Sequence, residues 1–202
     1  MLLKRRRALA AGALLAAALP AWAAGPPLLE AVQQAIQPAP LQATVQALVG
    51  FGTRHTLSET QSDTRGIGAA RRWVQARLEA VAKECGGCLE VRAVSQTVTG
   101  PRIPQPTEVV DVVAVQRGTS EPNRVVVITG HLDSRASDVM DATSDAPGAN
   151  DDASGVAAVM EAARVLSRHK FRATIVYGVL SGEEQGLHGG KILANHAKAQ
   201  GW

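Results

Sequence analysis

The sequence predicts an α/β fold: a mixed, largely parallel central sheet with helices on both faces. Three observations lead there. From Val125 onward the chain alternates strand, helix, strand, helix, the pattern of a parallel core covered by helices. Clusters of His, Asp and Glu follow the ends of the apolar runs, where open sheets of this class bind ligands. The chain of 202 residues is long enough for one domain with a substantial core.

The first 23 residues read as a secretory signal peptide. Lys4 to Arg7 are basic, Ala8 to Leu19 are apolar, and Ala21-Trp22-Ala23 is a small-x-small cleavage site. The apolar part is short for a membrane span, so no stable membrane anchor is expected, and the destination is a bacterial periplasm or the medium. Losing Lys4, Arg5, Arg6 and Arg7 leaves 17 basic against 18 acidic residues, a net charge of −1. The basic pI therefore belongs to the leader. With 3% aromatic residues and no basic run left, a nucleic-acid partner is excluded.

Residues 24–40 are rich in Pro, Gln and Ala and read as a leader or pro-segment with at most a short helix, "LLEAVQQAI". The domain proper is expected over 41–202. Leu41, Val45 and Leu48 stand at helical spacing ahead of Gly50 and Gly52. A longer helix carries Ala70, Trp73, Val74, Leu78 and Val81 on one stripe and stops at Gly86-Gly87. Cys85 and Cys88, the only cysteines, suit a local disulfide in an oxidising compartment; a redox pair or half a zinc site is the alternative. "CLEVRAVSQTV" alternates like a half-exposed strand. "EVVDVVAVQRG" and "NRVVVITG" are β-branched runs joined by the turn-rich "GTSEPN", which reads as a hairpin. "SGVAAVMEAARVLSRH" is a helix with Ser154 as its expected N-cap, "ATIVYGVLSG" a buried strand, and "GGKILANHAKAQGW" a last helix.

Three clusters carry the candidate chemistry. In "VVVITGHLDS" a strand delivers His131 and Asp133 two residues apart, with side chains to one side if the extended geometry persists. An imidazole is a good zinc ligand, and a nearby carboxylate can fix its tautomer. In "PGANDDASG" one acid would suffice to favour a helix start, so Asn150, Asp151 and Asp152 together exceed that need. The spacing and the missing closing Glu do not fit a calcium hand. In "SGEEQGLHGG" the adjacent Glu183 and Glu184 repel each other unless a cation neutralises one. One of such a pair can bind a metal while its neighbour takes a proton from water. Each cluster alone fits a polar turn. Jointly they supply imidazole and carboxylates at one rim, donors suited to zinc, with Asp151 placed to bridge two ions while Asn150 and Asp152 shape its loop.

"GHLDS", "APGANDDASG" and "SGEEQGLHGG", in this order and spacing, closely resemble the secreted bacterial zinc aminopeptidases of the leucine type, within the co-catalytic di-zinc exopeptidases of phosphorylase/hydrolase-like fold. "RHT" at Arg54 to Thr56 and the helix around Trp73 look like the same family. The resemblance covers 41–202. It implies two zinc ions, with His131 on one, Asp151 bridging both and Glu184 on the other. Glu183 would be the general base and Asp133 the residue orienting His131. Peptides would be the substrates, losing their N-terminal residue. The family continues into a further strand with an aspartate ligand and a later histidine ligand, which are not found by Trp202. The chain is therefore expected to be a C-terminally truncated fragment with an incomplete sheet and little activity alone. A carboxypeptidase or glutaminyl-cyclase relative on the same fold, and a non-catalytic periplasmic binding module, are the competing readings.

Overall fold

Residues 27–202 are described by a computed structural model; the signal peptide expected over 1–23 lies outside them. In chain order come helices α1 (Pro27–Ala35), α2 (Pro38–Val49) and α3 (Gly66–Glu84), then strands β1 (Glu90–Gly100), β2 (Ile103–Gln116) and β3 (Glu121–His131). Helix α4 (Ser154–Leu166), strand β4 (Ala173–Leu180) and helix α5 (His188–Ala199) follow, with a π-type turn, Ala149–Ala153, ahead of α4. Helix α2 starts three residues before the expected Leu41, because Pro38 sets φ for a first turn that needs no N–H donor.

The four strands form one sheet in the order β1-β2-β4-β3. This corrects the hairpin expected between β2 and β3: β4 lies between them, antiparallel to β2 and parallel to β3, and the hairpin is β1–β2 instead. The reason is burial. Strand β2 is buried continuously from Val109 to Gln116 and β4 from Thr174 to Val179, and such runs need neighbours on both edges and cover on both faces. Strand β3 leaves Val126 and Val127 about half exposed and takes an edge. The sheet is mixed, as expected, but only the β3–β4 pairing is parallel among the described residues.

Alternate residues of the central strands face opposite cores. Val112, Ala114, Ile175, Tyr177 and Val179 pack under α2, α3 and α4 through Leu48, Val74, Leu78, Val156 and Val159. Val109, Val113, Val115 and Val176 pack under α5 through Ile192 and Leu193. Helices thus cover both faces. The Cys85–Cys88 disulfide closes the turn after α3, as its spacing suggested. No helix among the described residues is long and apolar enough to cross a membrane.

Candidate metal centre

The parallel pairing aligns His131, the last residue of β3, with Leu180, the last of β4. Both strands therefore end at one rim, and the loops that leave them carry the expected residues. Helix α4 reaches the same rim by close backbone approach. A Cβ on Gly130 would lie 2.7 Å from the carbonyl carbon of Gly155, so only glycine lets the first turn of α4 sit against the end of β3. Asp152 uses that proximity. Its Oδ2 accepts the His131 N–H at 2.9 Å and its Oδ1 the Gly155 N–H at 2.8 Å. It performs the capping expected of Ser154, whose hydroxyl donates instead to the Asn150 carbonyl. The Asp151–Asp152 peptide is cis.

His131 points Nε2 at two carboxylates, 3.0 Å from Asp151 Oδ1 and 3.9 Å from Glu183 Oε2. Its other nitrogen, Nδ1, lies 3.0 Å from the main-chain oxygen of Asp133. Burial pulls the imidazole pKa down, but Asp133 beside Nδ1, with Asp152 and Glu183 further off, more than reverses this and raises it to about 9. A proton on Nε2 thus stands where a cation between His131 and Asp151 would.

Asp133 is fully buried and stands against His131 Nδ1, and it also does more than orient that ring. The carboxylate stands 3.7 Å from His131 Nδ1, while Oδ1 accepts the Glu183 N–H at 3.2 Å and Oδ2 the Glu184 N–H at 3.0 Å. The ring is held by the Asp133 carbonyl, and the side chain ties the Glu183-Glu184 turn to the His131 loop. Thr56 Oγ1 lies 3.0 Å from Asp133 Oδ2 and 3.1 Å from Gln185 Oε1, which extends this network. Asp111, inside β2, accepts the Ser181 N–H at 2.9 Å and steadies the end of β4; burial pushes its carboxyl up to about 7.

Glu184 forms no ion pair with His131. Its carboxylate, 13% exposed, meets Arg135 Nε at 2.9 Å, and its carbonyl accepts from Arg102. Burial and the charge of Asp151 raise its pKa, against Arg135. The structure therefore brings together His131, Asp151 and Glu183, sets Asp133 behind them, and leaves Glu184 on a guanidinium. No three His, Cys, Asp or Glu side chains among the described residues already stand at metal-holding distances. The donor types at the rim nevertheless suit zinc: one imidazole nitrogen with its partner nitrogen fixed, beside carboxylate oxygens.

The other acids are accounted for locally. Asp141 Oδ1 accepts from Thr143 and Ser144 in a turn, and Asp145 pairs with Arg65. Thr56 and Gln185 lie within the quoted "RHT" and "SGEEQGLHGG", but nothing in either stretch announces that Thr56 meets both Asp133 and Gln185.

Residues 111–201 match the profile of Peptidase family M28. A probable zinc metalloprotease of Leptosphaeria maculans is 49% identical over 173 residues, 84% of this chain and 40% of that protein. One of Pyricularia oryzae is 49% identical over 168 residues, 82% of this chain and 33% of that protein. The chain thus spans less than half the length of these curated relatives. They are fungal, which corrects the expectation of a bacterial group. Among solved structures, LapB from Legionella pneumophila superposes with TM-score 0.68 at 25% identity, over 86% of this chain and 43% of that one. A Bacteroides thetaiotaomicron glutaminyl cyclase shares the fold alone, at TM-score 0.56 and 19% identity over 73% of this chain and 47% of that one. The stretch that holds all five expected site residues, 111–201, is the stretch that matches peptidase family M28, whose members are zinc-dependent.

Proposed function

We propose that this chain carries the metal-binding part of an exported, zinc-dependent exopeptidase that removes the N-terminal residue of peptides. His131 and Glu184 would each hold one of two zinc ions, Asp151 would bridge them, and Glu183 would be the general base. The observation that supports this most directly is the direction of His131 Nε2, which faces Asp151 Oδ1 at 3.0 Å and Glu183 Oε2 at 3.9 Å. Zinc bound there would polarise the scissile carbonyl and make water more acidic. The residues of this chain do the rest. Glu183, 38% exposed at the rim, takes a proton from the attacking water and returns it to the leaving amine. Asp133 holds Glu183 and Glu184 by their amides, so the base cannot drift from the imidazole. Glu184, now paired with the Arg135 guanidinium, would give up that partner to hold the metal.

The test separates binding from chemistry. Chelator competition should show zinc affinity falling in His131→Ala and Asp151→Ala. Glu183→Gln should keep zinc and lose roughly 100- to 10,000-fold in leucine p-nitroanilide turnover. Unchanged zinc affinity in His131→Ala would sink the metal reading. Because glutaminyl cyclases share the fold, a glutaminyl peptide and an N-blocked peptide complete the panel; conversion of the glutaminyl peptide without anilide turnover would replace hydrolysis with cyclisation.

A further inference from the structure

Arg54 has no part in the chemistry above, yet it is the largest fully buried side chain described. It lies between α2 and α3, in the "RHT" triplet. All three guanidinium nitrogens donate to backbone carbonyls. Nε reaches Leu132 O at 2.7 Å, Nη1 reaches Leu48 O at 3.0 Å and Pro147 O at 2.8 Å, and Nη2 reaches Gly148 O at 3.0 Å. Leu132 follows His131 directly. Gly148 opens the turn that carries Asp151, and its carbonyl also accepts the Ala153 N–H that closes that turn, at 3.0 Å. One side chain therefore grips both loops.

We propose that Arg54 is the positioning residue of the metal centre: its planar fork clamps the loop of His131 to the loop of Asp151 and thereby sets the spacing of those two ligands. This rests on reading the rim as a metal site. The main chain reinforces the clamp. Arg54 N–H donates to Ser134 Oγ at 3.1 Å, and that hydroxyl donates to Ala146 O at 2.7 Å, again joining the two loops. No carboxylate forms an ion pair with Arg54 among the described residues. Burial lowers its pKa to about 10, opposed by the more distant charges of Asp133 and Asp152, so it stays a cation at neutral pH. A buried charge spent entirely on carbonyls of two ligand loops needs the diverging donors of a guanidinium. An ammonium, with donors radiating from one atom, cannot reach Leu132, Pro147 and Gly148 together.

The test compares Arg54→Lys, which keeps the charge, with Arg54→Gln, which removes it, in the full chain. Zinc affinity is read by chelator competition, and the absorption bands of bound cobalt report ligand geometry. Both variants should lose about tenfold or more in zinc affinity, within the range for residues that orient ligands, and shift the cobalt bands. Lysine that binds zinc as tightly as arginine, with the same cobalt spectrum, overturns the proposal. If neither variant folds, Ser134→Ala decides. It removes only the hydroxyl bridge between the loops, and it should weaken zinc binding and shift the cobalt bands; wild-type values for both overturn the clamp. A wild-type chain that binds neither metal overturns the metal reading itself and the clamp with it, a result distinct from equal binding by all variants.

Discussion

Replacing Asp133 with Asn tests the arrangement that joins the β3 and β4 loops. Asn keeps the shape but removes the charge, and its amide nitrogen must face one of the donors that Asp133 now accepts from. Those are the amides of Glu183 and Glu184 and the Thr56 hydroxyl, at 3.2, 3.0 and 3.0 Å. A hydrogen bond to a charged acceptor contributes about 1.5–3 kcal/mol. Three would sum to far more than is lost, because the buried carboxylate is itself desolvated and sits near Glu184 and Asp111. One donor left facing the Asn amide nitrogen costs about 1–3 kcal/mol and the other two bonds weaken by about 1 kcal/mol each on a neutral acceptor, so the loss should be about 3–5 kcal/mol. At roughly 2–4 °C per kcal/mol for a chain of this size, the melting temperature should fall by about 10 °C. Calorimetry reads that fall. Amide hydrogen exchange reads its location, with protection lost first at Glu183 and Glu184. A variant within about 1 kcal/mol of wild type, with those two amides still protected, would refute the reasoning.

Two further outcomes follow from the same geometry. The folded His131 titrates at about 9, above the ordinary 6.5 of an unfolded histidine, so the stability it contributes is complete below pH 6.5 and is lost as pH rises through 9. Without metal, the urea midpoint should drop across that window, and His131→Gln should flatten the slope. Arg135→Gln removes the cation now on Glu184 and should raise zinc affinity several-fold, most at low salt because Arg135 is 43% exposed; a weaker affinity would mean that Arg135 supports the site rather than competes for it.

Much of this was legible because periodicity and chemistry are local signals. The apolar stripes of α3 and α4 and the runs of β2 and β4 place those elements within a few residues. His131, Asp151 and Glu183 stood out because nothing in turn or helix chemistry needs those side chains in that number. What stayed hidden depends on partners distant in sequence. A buried run announces burial, not its neighbour, so β4 could not be read as lying between β2 and β3. Ser154 beside a helix start looked like its cap, but Asp152 accepts the Gly155 N–H instead. Arg54 sits among polar loop residues, and only its acceptors 78 to 94 positions away reveal it as core. Arg135 and Glu184 are separated by the whole of α4 and β4, so their pairing had no local trace.

The distinction between a metal centre and a solvated acidic rim lies in how the carboxylates use their oxygens. Asp133 accepts two amides and faces the Thr56 hydroxyl, Asp152 accepts two amides, and Glu184 holds a guanidinium; each has its capacity occupied by the protein. Asp151 and Glu183 are the exceptions, and both turn to the same atom, His131 Nε2. In a rim built for solvation, the carboxylates would spread apart to relieve repulsion. Here they converge on one imidazole nitrogen, and against the pull of burial Asp133, with Asp152 and Glu183 behind it, holds that ring's proton up to about pH 9. That proton and the Arg135 guanidinium are two single positive charges at the two places where carboxylate oxygens gather. On the two-zinc reading, an ion at each place would displace a single positive charge and add one more. Buried Asp133 and near-buried Glu184 thus each stand beside a positive charge supplied by the protein itself, the His131 imidazolium at 3.7 Å and the Arg135 guanidinium at 2.9 Å, which offsets the cost of burying a carboxylate.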